Sequence, residues 1–156
     1  MLITAIALAT TVLGYFLVTT LVELPPLNNV AAATLAERRT ETLVNGPVLL
    51  APVVLLGLAG ALHTPWLGYA GAGVEAVAVL SGLALWWLPY LTGRSVPWAT
   101  AGTGDTWAQL HARTYARTVI VLPRIGDRPR PNLEHMILHS LMVAAAVTAF
   151  IASAQQ

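Results

Sequence analysis

Residues 43–91 read LVNGPVLLAPVVLLGLAGAL, then HTP, then WLGYAGAGVEAVAVLSGLALWWLPYL, an almost unbroken apolar run whose one charged residue is Glu75. A hydrocarbon core of ~30 Å demands roughly 20 apolar residues from a crossing helix. The stretch holds two such segments, Leu43–Leu62 and Trp66–Leu91, joined only by His63, Thr64 and Pro65. So short a connection predicts an antiparallel helical hairpin. Strands of a membrane barrel would alternate apolar and polar residues, and this run does not alternate.

Outward from the hairpin, Leu2–Val22 and Leu133–Ala154 are the other two windows long and apolar enough to cross a bilayer. With 56% hydrophobic and 10% charged residues, the 156-residue chain departs from soluble domains, in which about a quarter of residues are charged. The sequence therefore predicts an all-α, polytopic four-transmembrane-helix bundle occupying residues 1–156 as a single membrane domain. No Lys or Arg precedes Arg38, and the first apolar run exceeds that of a secretory leader, so it reads as a retained helix.

All eight basic residues are arginines, and they fall in two segments. Arg38 and Arg39 lie between the first two spans; Arg94, Arg113, Arg117, Arg124, Arg128 and Arg130 lie between the last two. Four spans put both segments on one side. The positive-inside rule makes that side cytoplasmic, with both termini outside a bacterial cytoplasmic (inner) membrane. Trp86, Trp87 and Tyr90 end the third span on the arginine side and Trp66 opens it on the other, as an interfacial aromatic belt does. A net charge of +1, carried beside the spans, argues against a nucleic-acid partner. The absence of cysteine excludes disulfides, iron–sulfur clusters and thiolate metal ligands.

The connections carry their own signals. In the second arginine segment, Asp105 reads as the cap of a helix over about 105–122, stopped by Pro123. Trp107, Leu110, Val119 and Leu122 share one face of it; Gln109, Arg113 and Arg117 share the other. That pattern predicts an amphipathic helix on the cytoplasmic membrane surface, with Arg113 and Arg117 as lipid-headgroup contacts. Pro131 is placed near the first turn of the last span. Gly46, Pro47 and Pro52 predict a kink in the second span. Gly68, Gly71 and Gly73 predict close approach of a neighbouring helix to the third.

Ionisable residues inside spans are the main functional signal. Glu75 lies about 9 residues into the third span, roughly 13 Å deep at 1.5 Å per residue, near the midplane. A charge there costs several kcal/mol unless paired or hydrated. It suits a general acid, a proton relay or a ligand anchor; it equally suits a protonated carboxyl hydrogen-bonded across helices. Near the cytoplasmic end, Glu23, Glu41, Asn45, Glu134, His135 and His139 come from three spans, with His135 and His139 stacked one turn apart. Imidazole and carboxyl together form an acid–base pair for neutral pH. The alternative is ion pairing of Glu23, Glu41 and Glu134 with Arg38, Arg39 or Arg130. A bare pair of histidines lacks the further ligands of a metal site, and Glu134 precedes His135 where a zincin would place Glu after His. No metal or cofactor is expected. His111 reads as solvated on the surface helix, and His63 as exposed in the outer turn.

Trp86-Trp87-Leu88-Pro89-Tyr90-Leu91-Thr92-Gly93, then Tyr115-Ala116-Arg117-Thr118, Leu122-Pro123, Pro131-Asn132, His135, Leu138 and His139 form a pattern across residues 86–141. This pattern resembles a set of small four-span bacterial membrane proteins of unassigned function. The resemblance implies that the surface helix and the start of the last span act together. Glu37-Arg38-Arg39 followed by Asn45 is weakly similar to the mouth of the corresponding span in four-helix glutathione-dependent membrane enzymes. The acidic residue that should follow the Asn is missing, and Trp-Trp-Leu-Pro-Tyr stands where those enzymes carry an arginine, so glutathione binding is not carried over.

Three functions fit these residues. The first is a membrane enzyme performing cofactor-free acid–base chemistry (isomerisation, cyclisation or epoxide opening) on a lipophilic, isoprenoid-like substrate. Its catalytic residues are Glu75 as proton donor, His139 as base or orienter, and His135. Asn45, Glu23, Trp86, Trp87 and Tyr90 bind substrate. The second is a non-catalytic accessory subunit docking a partner protein or anionic lipid; the third is a proton-coupled carrier using Glu75 as relay. All have the lipid bilayer as surroundings, and a bundle this small is a candidate for homo-oligomerisation.

Overall fold

In the computed structural model, which describes residues 1–100 and 104–156, the four spans are helices. They are α1 (Leu2–Leu21), α2 (Leu35–Leu62), α3 (Pro65–Gly82) and α6 (Leu133–Ala154). A π-helical turn over Leu83–Trp87 and the short helix α4 (Leu88–Thr92) continue α3, so the third crossing runs from Pro65 to Thr92. The fifth helix, α5 (Trp107–Tyr115), lies in the long connection before α6. Among the described residues there is no strand. The first and third connections share one end of the bundle, called the basic end below because they hold every arginine.

The helices pack in the cyclic order α1–α2–α3–α6, each against its two neighbours. Two apolar layers fill the centre. Ala5, Ala9, Leu56, Ala72, Ala149 and Ala152 form the layer away from the basic end, and the small side chains let four backbones converge. Val12, Phe16, Leu49, Val79, Leu138 and Met142 form the bulkier layer toward the basic end. Outside, Ile3, Leu43, Val77 and Leu80 are each more than 60% exposed. Apolar surface on that scale is costly in water and costs nothing in hydrocarbon. It fits four helices that are each long and apolar enough to cross a membrane.

Glycines set two of the helix contacts. A methyl group on Gly68 would lie 2.5 Å from the Ser153 Oγ of α6. One on Gly71 would lie 3.2 Å from Leu55 Cβ and 3.4 Å from the Pro52 carbonyl of α2. Gly73, expected to act with them, faces open space. Helix α2 runs unbroken through Pro47 and Pro52, and it starts two turns before the apolar window, at a capping box in which Thr34 and Glu37 satisfy each other's backbone N–H groups. The outer turn closes with His63 in the left-handed region at φ 51° and Thr64 N–H donating to the Ala59 carbonyl.

The surface helix departs from expectation at both ends. Its cap is Thr106, not Asp105: the Thr106 hydroxyl accepts from Gln109 N–H and Gln109 returns the bond to Thr106 N–H. It ends at Tyr115 rather than near residue 122. The β-branched run Thr118-Val119-Ile120-Val121 favours extended backbone. Tertiary bonds use it that way, since Val119 N–H donates to Pro26 O and Val119 O accepts from Leu133 N–H. Pro131 precedes the Asn132 cap of α6 and so stands just outside its first turn.

Replacing Gly68 by Val forces branched methyls against Ser153 and lowers stability by about 1–3 kcal/mol. Replacing Gly73 by Ala should leave the unfolding midpoint unchanged or slightly higher. Thermal unfolding of the two variants in detergent separates these outcomes, and an unshifted Gly68→Val midpoint would mean that α3 and α6 are not packed as described.

Candidate functional site at the basic end

Pro89 shapes this end of the molecule. Proline has no N–H and its ring clashes with the carbonyl four residues back. The helix widens just before it, with Leu88 N–H donating to Leu83 O in the i+5 pattern. From this turn two successive tryptophans reach α6. Trp86 stacks on His135 with ring centroids 3.6 Å apart and planes 29° apart. Trp87 Nε1 donates to His139 Nδ1 at 3.0 Å. Gly82 makes room for this pair, because a methyl there would lie 2.7 Å from His139 Nε2.

The hydrogen bonds fix both imidazole tautomers. An indole N–H only donates, so His139 accepts at Nδ1 and carries its proton on Nε2. Asn132, wholly buried, accepts through Oδ1 both the His135 N–H at 3.1 Å and the His135 Nδ1–H at 2.7 Å. One asparagine thus caps α6 and orients its first histidine. Trp107, His111 and Tyr115 of α5 surround the other edges of Trp86, with centroids at 5.1, 5.5 and 4.8 Å. Trp86 is thus one point at which the surface helix is held to the bundle. His111, which the sequence left solvated, is buried and bonded through Nε2 to Arg130 O at 2.8 Å.

A cavity of about 140 Å³ opens beside this cluster, between the end of α1, the 28–33 segment, the start of α2, α5 and the start of α6. Glu41 of α2 and Glu134 of α6 line it with Tyr115, Trp107, Arg38 and Thr19. Tyr15 Oη donates to the Glu134 carbonyl at 3.2 Å, and Asn132 Nδ2 to Glu134 Oε2 at 3.4 Å. The Tyr115 hydroxyl is pushed well above its ordinary value, first by burial and then by the charges of Glu41 and Glu134, so both carboxyls act on one phenol. Asn28 builds the wall: its amide donates to the Thr19 and Val22 carbonyls and accepts from Leu24 N–H. At the rim Arg113 holds Glu37 at 2.6 Å, Asp105 at 3.5 Å and Ala32 O at 2.9 Å, tying α5 to α2 and the first connection.

The residues singled out in the sequence do not meet in one place. Glu75 is 1% exposed, lies on α3 between the two apolar layers, and among the described residues has no hydrogen-bond partner on either oxygen; it lines neither this cavity nor the one beyond α5. His139 has given its lone pair to Trp87. His135 is enclosed by Trp86, Tyr115 and His139. Trp86 and Trp87 contact His135 and His139, and Tyr90 Oη donates to Pro123 O at 3.0 Å. Glu23 is exposed and accepts from Ala31 N–H at 2.7 Å, and Asn45 is exposed on α2 away from both cavities. Arg113 is committed to carboxylates, while Arg117 stays exposed. Of the proposed carboxylate–imidazole set, Glu41 and Glu134 alone face the cavity. Sequence reasoning met Asn132 and Tyr115 only as members of the 86–141 pattern and gave no role to them or to Asn28. The first is legible as a cap immediately before an apolar helix; the other two act through tertiary contacts.

Burial pushes His111 below the ordinary imidazole value; the bond to the Arg130 carbonyl opposes this and the Arg130 charge adds to it. The unfolded chain takes up a proton near pH ~6.5 while the folded one does not, so stability is full above that pH and falls as pH drops toward the folded value. Hydrogen exchange of Trp107–Tyr115 should accelerate, beyond the intrinsic pH effect, between about pH 7.5 and about pH 5.5. His111→Gln should flatten that dependence, and an identical profile in parent and variant would remove His111 as its cause. No likeness from outside adds to this geometry: no known protein-family model, curated protein or solved structure matches the chain.

Proposed function

We propose that the protein is a small integral membrane enzyme that works by acid–base chemistry on the polar end of a lipophilic substrate. The reaction class is an isomerisation, cyclisation or epoxide opening. The observation that carries this reading is the shared lining of one interfacial cavity by carboxyls from two different spans, Glu41 and Glu134, beside the Tyr115 phenol. Carboxyls from two spans beside one phenol can serve as acid and base toward the same bound group. A cavity of about 140 Å³ admits a headgroup but not a whole lipid, which leaves the apolar part of the substrate among the exposed side chains of the bundle.

In this reading Glu134, fixed by Asn132 and the cap of α6, exchanges the proton with substrate, and Glu41 is the second carboxyl. Tyr115 and Arg38 orient the polar group. Glu75, His135 and His139 move from chemistry to architecture. The positive-inside rule supports placing the arginine side in the cytoplasm, and the resemblance of the 86–141 pattern to small four-span bacterial proteins supports a bacterial inner membrane.

A non-catalytic subunit is the second reading, favoured by one specific observation: both histidines are locked by tryptophans and Glu75 is sealed. Incubation of the reconstituted protein with a bacterial lipid extract, read by mass spectrometry, separates the two. The parent should convert a lipophilic species; Glu134→Gln should slow conversion about 100-fold or more, and Glu75→Gln should leave it within a few-fold. Full turnover by Glu134→Gln would sink the assignment of Glu134, and an unchanged extract would leave the subunit reading in place.

A further inference from the structure

Helix α5 separates two concavities. Beyond its other face a second cleft of about 340 Å³ lies between α5 and the 124–130 segment. Ala108, Ala112 and Ala116 recur at four-residue spacing along this face, and their short side chains leave the cleft open. Arg124, Arg128 and Arg130 line it, against a single carboxylate, Asp127.

These arginines are held but not neutralised. Arg128 Nη1 donates to Leu91 O at 2.6 Å, at the carbonyl end of α4, and Arg130 Nη1 donates to Leu122 O at 3.0 Å. Each guanidinium is thus fixed through Nη1 on neutral carbonyls, Arg128 reaching Tyr90 O at 3.5 Å as well. Among the described residues Arg124 has no hydrogen bond or ion pair, and the ion pairs belong to Arg113 alone. The buried His111 ring in the same cleft is anchored to Arg130 O and supplies no opposing charge. Pre-placed guanidinium forks without carboxylate partners match the oxygens of a phosphate group. Val121 and Ile125, next in sequence to the lining residues Ile120 and Arg124, and Leu91, whose carbonyl holds Arg128, are exposed apolar side chains that an acyl chain could meet.

We propose that this cleft is a binding site for a phosphate group, supplied by the headgroup of an anionic phospholipid. The proposal is independent of the acid–base reading of the first cavity.

Calorimetric titration of the full-length protein in detergent with dihexanoyl phosphatidylglycerol, dihexanoyl phosphatidylcholine and inorganic phosphate tests it. Phosphatidylglycerol should bind saturably and more tightly than phosphatidylcholine. Arg124→Ala, which breaks no internal bond, should weaken it about five-fold, as expected for one basic contact at a membrane surface. Arg39→Ala, an exposed arginine outside the cleft, should leave affinity unchanged. Saturable binding of inorganic phosphate that competes with phosphatidylglycerol would keep the site and identify a soluble phosphate compound as its ligand. Equal affinity for the two lipids, or equal loss in Arg39→Ala and Arg124→Ala, would overturn the proposal.

Discussion

The basic end of the molecule depends on one proline in a membrane-crossing helix. Pro89 removes a backbone donor in surroundings where hydrocarbon offers no substitute, and the helix answers with a π turn rather than a break. That turn directs Trp86 and Trp87 at His135 and His139, which stand one turn apart on α6. Trp86 also collects Trp107, His111 and Tyr115 from α5. A local backbone constraint in the third span thereby fixes the start of the fourth and docks the surface helix. The position of Glu134, between Asn132 and His135, follows from the same contacts.

Polarity in the bundle is graded along its length. Away from the basic end the helices meet largely through alanine and glycine, which permit close backbones. Toward the basic end the layer holds the bulkier Phe16, Leu138 and Met142, and beyond it lie hydrogen-bonded caps and two cavities. Glu75 falls at the border of the two apolar layers and is buried. A carboxyl there specifies where α3 sits, since any rotation of that helix would turn it into lipid.

The spans were legible because their signal is local: length and apolarity alone identify a crossing helix, and all four windows fall inside the observed helices to within a residue. Expectations that needed tertiary information fared differently. The amphipathic period around Trp107 foretold a helix, but its end at Tyr115 depends on Val119 bonding to Pro26 and Leu133, which no window of sequence reveals. His111 looked solvated because its neighbours Arg113 and Gln109 are polar, yet its own ring turns to Trp86 and Arg130. The cavities were invisible for the same reason, since the first is walled by five separate segments.

That distinction also explains why ionisable residues within spans were an incomplete guide to chemistry. Depth raises the cost of a charge, and costly residues attract a functional reading. Reactivity needs a second condition, an atom free to meet a ligand. Glu75 meets the first condition but lines neither described cavity. The Nδ1 lone pair of His139 is occupied by an indole. Glu41 and Glu134 are shallower and less conspicuous in sequence, but they border open space together with a phenol whose proton both influence. In a bundle this small, the end where the backbone departs from helix is where both described cavities lie, so a carboxyl placed there can border open space.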